Sequence, residues 1–389
     1  MADRPEFPSN AHGLDPLDLA QRLIRTESVT PAGPAVFDIV EEALQAAGFA
    51  VTRMTFDSAG TPVENLFATR GSGKHLAFAG HVDVVPPGSA EAWTHAPFSA
   101  AIEGDTLYGR GSQDMKGAVA AMIVAATDWS ASGAPGQVSF VITGDEEGAA
   151  VDGTAPLIAW AAERGRIDAC IVGEPTSRVR LGDTIKIGRR GSMSAAVTVT
   201  GRQGHVAYQH LATSPVPELV AIAQRLLEPL DEGTAQFAPS NLEIVSIDIA
   251  NPAWNVIPEA GTLRFNVRFN DLWPPETLRA ELLKRIGGGG EGLAVDVAWQ
   301  PSHGGAFRTK DDALIAAVTG AIEATTGVTP EATTGGGTSD ARFIKDYCPV
   351  VEFGAIGDTM HQVDERTSVS ELATLTKAYR AIIDAVLTA

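Results

Sequence analysis

VSFVITGDEEG, residues 138–148, decides the fold class. A short apolar run, Val138 to Thr143, leads directly into Asp145, Glu146 and Glu147 and closes on Gly148. An apolar run of that length bounded by glycine reads as a buried strand. Three adjacent carboxylates at its end repel one another unless a cation is present, so the stretch is either a solvated acidic turn or one wall of a metal site.

Outward from this strand the chain alternates between strand and helix. Ala35 to Ala47 reads as a helix stopped by Gly48, followed by strands near Val51 to Phe56, Asn65 to Thr69 and His75 to Ala79. Met115 to Trp129 is an Ala-rich helix, and Ala169 to Val172 is another buried strand. This alternation predicts an α/β fold, a sheet covered by helices. From Ser192 to about Pro301 the style changes to longer strands with period-two alternation: Ser194 to Val199, Leu242 to Ile249, Thr262 to Phe269 and Ala294 to Trp299. Helices near Val216 to Leu230 and Pro275 to Ile286 interleave with them, which suggests an α+β open sandwich. The first style then returns with helix Asp311 to Thr326, strand Val350 to Phe353 and helix Ser370 to Leu387. A discontinuous domain, 1–190 with 305–389, carrying an inserted domain, 191–304, is the simplest reading. Two domains also suit 389 residues, too many for one ordinary core.

Charge narrows the partners. A net charge of -19 leaves no basic surplus to neutralise phosphates, so nucleic acid and anionic membrane are not expected partners. No run of 18 apolar residues occurs, and residues 1–15 hold no signal-like stretch, which points to a cytoplasmic protein. Cys170 and Cys348 lie in apolar strands and read as inert core thiols.

Four further stretches share the property of 138–148, a histidine or carboxylate at a strand end beside glycine. In GHVDVVPPG, 80–88, His81 and Asp83 are two apart and face the same side of an extended chain. A metal-bound imidazole usually has its second nitrogen held by such a neighbour, which suits Asp83. Asp114 in GRGSQDMKG, 109–117, directly precedes a helix, where a simple N-cap is the alternative. Glu174 follows the strand ACIV, at the edge where open α/β sheets place ligand groups. His361 lies in DTMHQVDE near the end of the chain. Together these give a mixed nitrogen and oxygen set suited to zinc or a similar metal, with ligands for two ions if one carboxylate bridges. The spare carboxylate, Glu146 or Glu147, could serve as the base of a two-metal hydrolysis.

The motifs HVDVVPPG, RGSQDMKG, TGDEEG, CIVGEPTS, IKIGRRGS, GHVAYQH, NVIPE, TGGGTSDARF and MHQVDE resemble those of the di-zinc aminoacylase and carboxypeptidase family, from about Asp15 to Ala385. GEPTS followed by IKIGRRGS and GGGTSDARF resembles the desuccinylase branch of that family. The resemblance implies a zinc-peptidase-like catalytic domain with a mixed sheet flanked by helices, and an inserted dimerisation domain. It implies hydrolysis of N-succinyl-LL-2,6-diaminopimelate, with acetylornithine deacetylase and aminoacylase as related activities. A non-catalytic metal-binding protein is the alternative from another class, set aside because Glu146 and His361 are both present.

Carried over residue by residue, the resemblance implies that His81, Asp114 and Glu174 hold one Zn2+. Asp114, Glu147 and His361 would hold a second, with Asp114 bridging and Co2+ possible in one site. Glu146 becomes the general base, Asp83 the partner of His81, and the 114–115 peptide bond cis. His205 would reach the active site of the partner in a homodimer and stabilise the oxyanion. Arg189, Ser192, Asn255, Arg268 and Thr338 would bind the substrate, whose three free carboxylates suit arginine forks. His12, His75, His95, His210 and His303 match no role and are expected to be structural. One departure stands out. Gly357, followed by Asp358, occupies the position where many desuccinylases have asparagine.

Overall fold

The structure is a computed structural model that describes residues 13–300 and 304–388, so the readings of His12, His303 and the segment 1–12 lie outside the described residues. Two compact units divide the chain. One takes in the chain up to Gly188, Thr309–Thr333 and Ser339–Ala389; the other takes in Arg189–Arg308 and Thr334–Thr338.

The first unit is built on an eight-stranded mixed sheet. Its order is Ala50–Phe56, Val63–Ser72, Gly136–Thr143, His75–His81, Ala169–Val172, Val350–Glu352, Thr184–Lys186 and Glu331–Thr333. The strands at the centre are buried along their whole length, because helices cover both faces. That explains their continuous apolar character in place of alternation. His75–His81 runs parallel to Gly136–Thr143 on one side and to Ala169–Val172 on the other. In that register His81 is the partner of Thr143 and Ala79 the partner of Val172. The three segments that follow these strands therefore leave the sheet at one edge, and each carries candidate ligands.

Helix Gly117–Ser132 is buried on almost every side, which its run of alanines allows, and Gly133 ends it in the left-handed region at φ 70°. Helices Pro16–Arg25 and Val369–Thr388 add leucines, isoleucines and Tyr379 to the same core. The hydroxyl of Tyr379 donates to the carbonyl of Phe353 at 2.7 Å, which satisfies a fully buried phenol. Ahead of Gly117, residues 112–116 form an irregular turn in which Asp114 and Met115 leave helical geometry and the bond joining them is cis. The expected helix start at Met115 thus falls two residues early.

The second unit has a four-stranded antiparallel sheet, ordered Asn241–Asp248, Ala260–Phe269, Gly191–Thr200 and Ala294–Trp299. Along Gly191–Thr200 buried residues alternate with half-buried ones up to the exposed Thr200, as expected for a sheet packed on one face. Helices Val216–Leu226 and Pro275–Ile286 supply Leu219, Ile222, Leu278 and Leu282 to that face. The first helix stops at Leu226 and not near Leu230, because Pro229 disfavours helical geometry in the residue before it.

Candidate metal centre

Glycine places the first ligands. Gly80 and Gly173 each precede a ligand, His81 and Glu174, and a β-carbon at either would lie 2.4 Å or 2.7 Å from Cε of Met115. The Met115 side chain fills the space both leave, which lets the turn bearing Asp114 settle against the two strand ends. His81, Asp114 and Glu174 are all buried.

The carboxylate of Asp114 faces both histidines. Its Oδ1 lies 3.1 Å from Nε2 of His81, and its Oδ2 lies 3.4 Å from Nε2 of His361. Nε2 of His361 also stands 2.8 Å from Oε1 of Glu147, and Oε1 of Glu174 is 3.9 Å from His81. Two potential ligand triads result: His81 with Asp114 and Glu174, and Asp114 with Glu147 and His361. Glu146 joins His81 and Glu147 in a third grouping, so distance alone leaves it a ligand or a base. The residues fit divalent ions by donor chemistry, since each triad offers one imidazole and two carboxylates.

Asp83 does two things here. Its backbone carbonyl accepts from Nδ1 of His81 at 2.9 Å, with its Oδ1 3.5 Å from the same nitrogen. Its carboxylate oxygens accept the amides of Glu146 at 3.2 Å and Glu147 at 3.0 Å. One buried residue thus fixes both, the imidazole ring chiefly through its carbonyl and the turn that carries the two glutamates through its carboxylate.

Electrostatics follow the crowding. For His81, burial opposes the charge, but hydrogen bonds donated to Asp114 and Asp83 outweigh it and hold the imidazolium well above its usual range. Hydrogen bonds to Asp114 and Glu147 raise His361 to about 10. Asp114 is pulled below the ordinary carboxylate range by those two rings, against the effect of its own burial. Glu146 moves the other way. Burial, then the charges of Glu174 and Asp340, push its carboxyl well up, partly countered by His81 and Arg342.

Several residues around the centre are legible only in three dimensions. Arg342 approaches Glu146 to 3.8 Å, with both side chains 12% exposed. Asp340 is held by a 2.6 Å hydrogen bond from Thr154. Lys116 is fully buried, donating to the carbonyls of Leu23 and Thr26, and burial lowers its pKa to about 7. Asp340 and Arg342 lie in the SDAR of GGGTSDARF, so a carboxylate and a guanidinium beside glycines were the available signal. Asp358, next to Gly357, accepts from Nε2 of Gln113 at 2.7 Å.

The other expected residues belong to the second unit. His205 pairs in register with Val256, is exposed, and its Nδ1 accepts from the amide of Ala207 at 3.1 Å. The carbonyl of Asn255 accepts from the amide of Val206, so Asn255 lies in the turn just before the strand that pairs with His205. Ser192 and Arg268 are direct partners across the sheet. Arg189 donates to the carbonyl of Gly337, beside Thr338, at 3.2 Å.

Among the described residues no helix is long and apolar enough to cross a membrane. The profile described as Peptidase family M20/M25/M40 matches residues 77–385. Succinyl-diaminopimelate desuccinylase of Rhodopseudomonas palustris strain HaA2 is 52% identical over 380 residues, covering 95% of this chain and 98% of that protein. Succinyl-diaminopimelate desuccinylase of Methylobacterium nodulans is 52% identical over 378 residues, 95% of this chain and 96% of that one. In fold the chain is similar to the M20 family metallo-carboxypeptidase of Sulfolobus solfataricus, with a TM-score of 0.78 at 16% identity, covering 96% and 100% of the two chains. Human carnosine dipeptidase 1 has a TM-score of 0.74 at 19% identity, covering 96% of both. A profile match over most of the chain and half-identical relatives matched over nearly their full length lead to one conclusion: the chain belongs to peptidase family M20/M25/M40.

Proposed function

We propose that the chain hydrolyses the amide of N-succinyl-LL-2,6-diaminopimelate, giving succinate and LL-2,6-diaminopimelate for lysine and diaminopimelate biosynthesis. The observation that carries the chemistry is Asp114, which turns one oxygen to His81 and the other to His361. The substrate follows from half-identical desuccinylases matched over nearly their full length.

His81, Asp114 and Glu174 would hold one Zn2+, and Asp114, Glu147 and His361 the other, with Co2+ able to replace zinc in one of them. When bound, the ions polarise the scissile carbonyl and lower the pKa of a water at the site. Glu146 is the general base. Burial, with the charges of Glu174 and Asp340 beside it, raises its carboxyl well above the ordinary carboxylate range, so it holds a proton more readily than an exposed glutamate does. It takes a proton from the water as oxygen bonds to the amide carbon, and returns it to the amine nitrogen as the carbon–nitrogen bond breaks. Asp83 keeps the His81 ring and the Glu146 turn in place throughout. His205, contributed by the neighbouring subunit of a homodimer, donates to the oxyanion. Arg189, Ser192, Asn255, Arg268 and Thr338 of the second unit receive the substrate's carboxylates and amine. Two buried free thiols, Cys170 and Cys348, suit a reducing cytoplasm.

The test is succinate release from the succinylated substrate, with acetyl-ornithine as the competing substrate. Chelation is expected to abolish the first reaction and zinc to restore it. Glu146→Gln should keep its metal content while turnover falls by roughly 10²–10⁴-fold. Activity that survives either treatment would reject the assignment.

A further inference from the structure

We propose that Asp364 and Glu365 are positioning residues whose carboxylates strap the 359–365 turn to its neighbours and so set where the His361 imidazole stands relative to Asp114. The inference rests on the metal-centre reading above and concerns residues that reading leaves without a role.

The turn is poorly equipped to hold itself. His361 and Asp364 both adopt left-handed backbone, at φ 63° and 59°, which non-glycine residues seldom enter. Apolar packing gives little help, because Met360 and Val363 are 39% and 41% exposed and His361 is about half exposed. Hydrogen bonds supply the anchorage. Asp364 accepts the amide of Thr94 at 2.7 Å and the Thr94 hydroxyl at 2.8 Å. Glu365, fully buried, accepts the amides of Gln113 at 3.0 Å and Asp114 at 3.1 Å through Oε1. Its Oε2 takes Nη1 of Arg110 at 2.6 Å, and Nη2 of the same arginine reaches the carbonyl of His361 at 3.4 Å. The Arg110 guanidinium lies over Trp93, whose indole donates to the carbonyl of Pro87. At the start of the turn, Oε1 of Gln113 accepts the amide of Thr359 at 2.9 Å.

One carboxylate therefore holds the backbone of Asp114 at one oxygen and, through Arg110, the backbone of His361 at the other. These are the two residues whose separation defines the second triad. A buried carboxylate without donors would be costly, and Glu365 meets all of its donors on the ligand-bearing loops. Neither acid is part of any of the potential ligand triads.

Titration of the metal-free full chain with zinc, followed by calorimetry, tests this, together with amide hydrogen exchange over 359–365 in the absence of metal. Wild type should take up two equivalents. Asp364→Ala and Glu365→Gln should lose about 10–100-fold in affinity for one of those equivalents, the cost typical of removing an outer partner. Both should exchange faster in the turn, while Asp364→Asn, which keeps an acceptor and tolerates the left-handed backbone, stays near wild type. Excess zinc should restore kcat with KM unchanged. Should Glu365→Gln fail to fold, Asp364→Ala at the surface decides alone. Wild-type zinc affinity for both equivalents in Asp364→Ala overturns the proposal, whatever happens to Tm. A wild-type chain that binds no zinc overturns the metal-centre reading and this one with it.

Discussion

A metal ion entering this centre at neutral pH has to displace protons. Asp114 and Glu147 raise His361 to about 10, and Asp114 with Asp83 holds His81 well above its usual range despite burial. The His361 ring is therefore protonated in the metal-free protein at pH 7, and ligation requires it neutral. The sign follows directly: a raised pKa means protons are released on binding below it and none from that group above it. Proton release on zinc uptake is expected to be large at pH 7 and to decline as pH rises through about 10, with apparent affinity rising over the same interval. Calorimetry in buffers of different ionisation enthalpy measures this, and a proton count independent of pH would contradict it. At this scale the ligands were legible in the sequence because each is a short local signal, a histidine or acid beside glycine at a strand end. Arg342, Lys116 and Glu365 were not. Their significance lies in partners the fold brings from far along the chain, such as Gln113 for Glu365, and no local pattern encodes such a meeting.

The sheet's elements act on the centre through contacts as tight as those between side chains. Gly354 follows strand Val350–Glu352, and a β-carbon there would meet the carbonyl of Glu174 at 2.4 Å and that of Gly173 at 2.6 Å. Backbone cannot swing aside as a flexible side chain can, so Gly354→Ala should push away the strand end that carries Glu174. We expect a loss of about 1–3 kcal/mol of stability from overpacking, together with weaker zinc binding. Unchanged denaturation midpoint and metal affinity would show that the strand end yields freely. The long buried strands and amphipathic helices of this layer could be read from apolar spacing. Strands Thr184–Lys186 and Glu331–Thr333 could not, being three residues each and too short to show a period. Helix Thr154–Ala162 was also hidden, because TAPLIAWAA is apolar nearly throughout and carries no polar stripe to mark it as a helix.

At the scale of the whole molecule, the proposed homodimer makes a distinctive prediction. His205→Ala and Glu146→Gln subunits should each be inactive alone. Unfolded and reassembled together, they should form mixed dimers with one complete site, made of an intact Glu146 and the His205 of its neighbour. Random pairing of equal amounts would restore roughly a quarter of wild-type activity. No recovery, with mixed dimers shown by mass, would place His205 in its own subunit's site or outside catalysis. The order of strands has a consequence of another kind. Val350–Glu352 lies between Ala169–Val172 and Thr184–Lys186, and His361 follows shortly after it. During synthesis on the ribosome the sheet thus waits, with a gap in its middle, for a strand that begins 164 residues after Lys186, the end of its nearer neighbour in sequence. The last metal-binding histidine emerges in the same stretch. A nascent chain can neither close the sheet nor assemble both ligand triads until then, so closure of the sheet and competence to capture both ions arrive together.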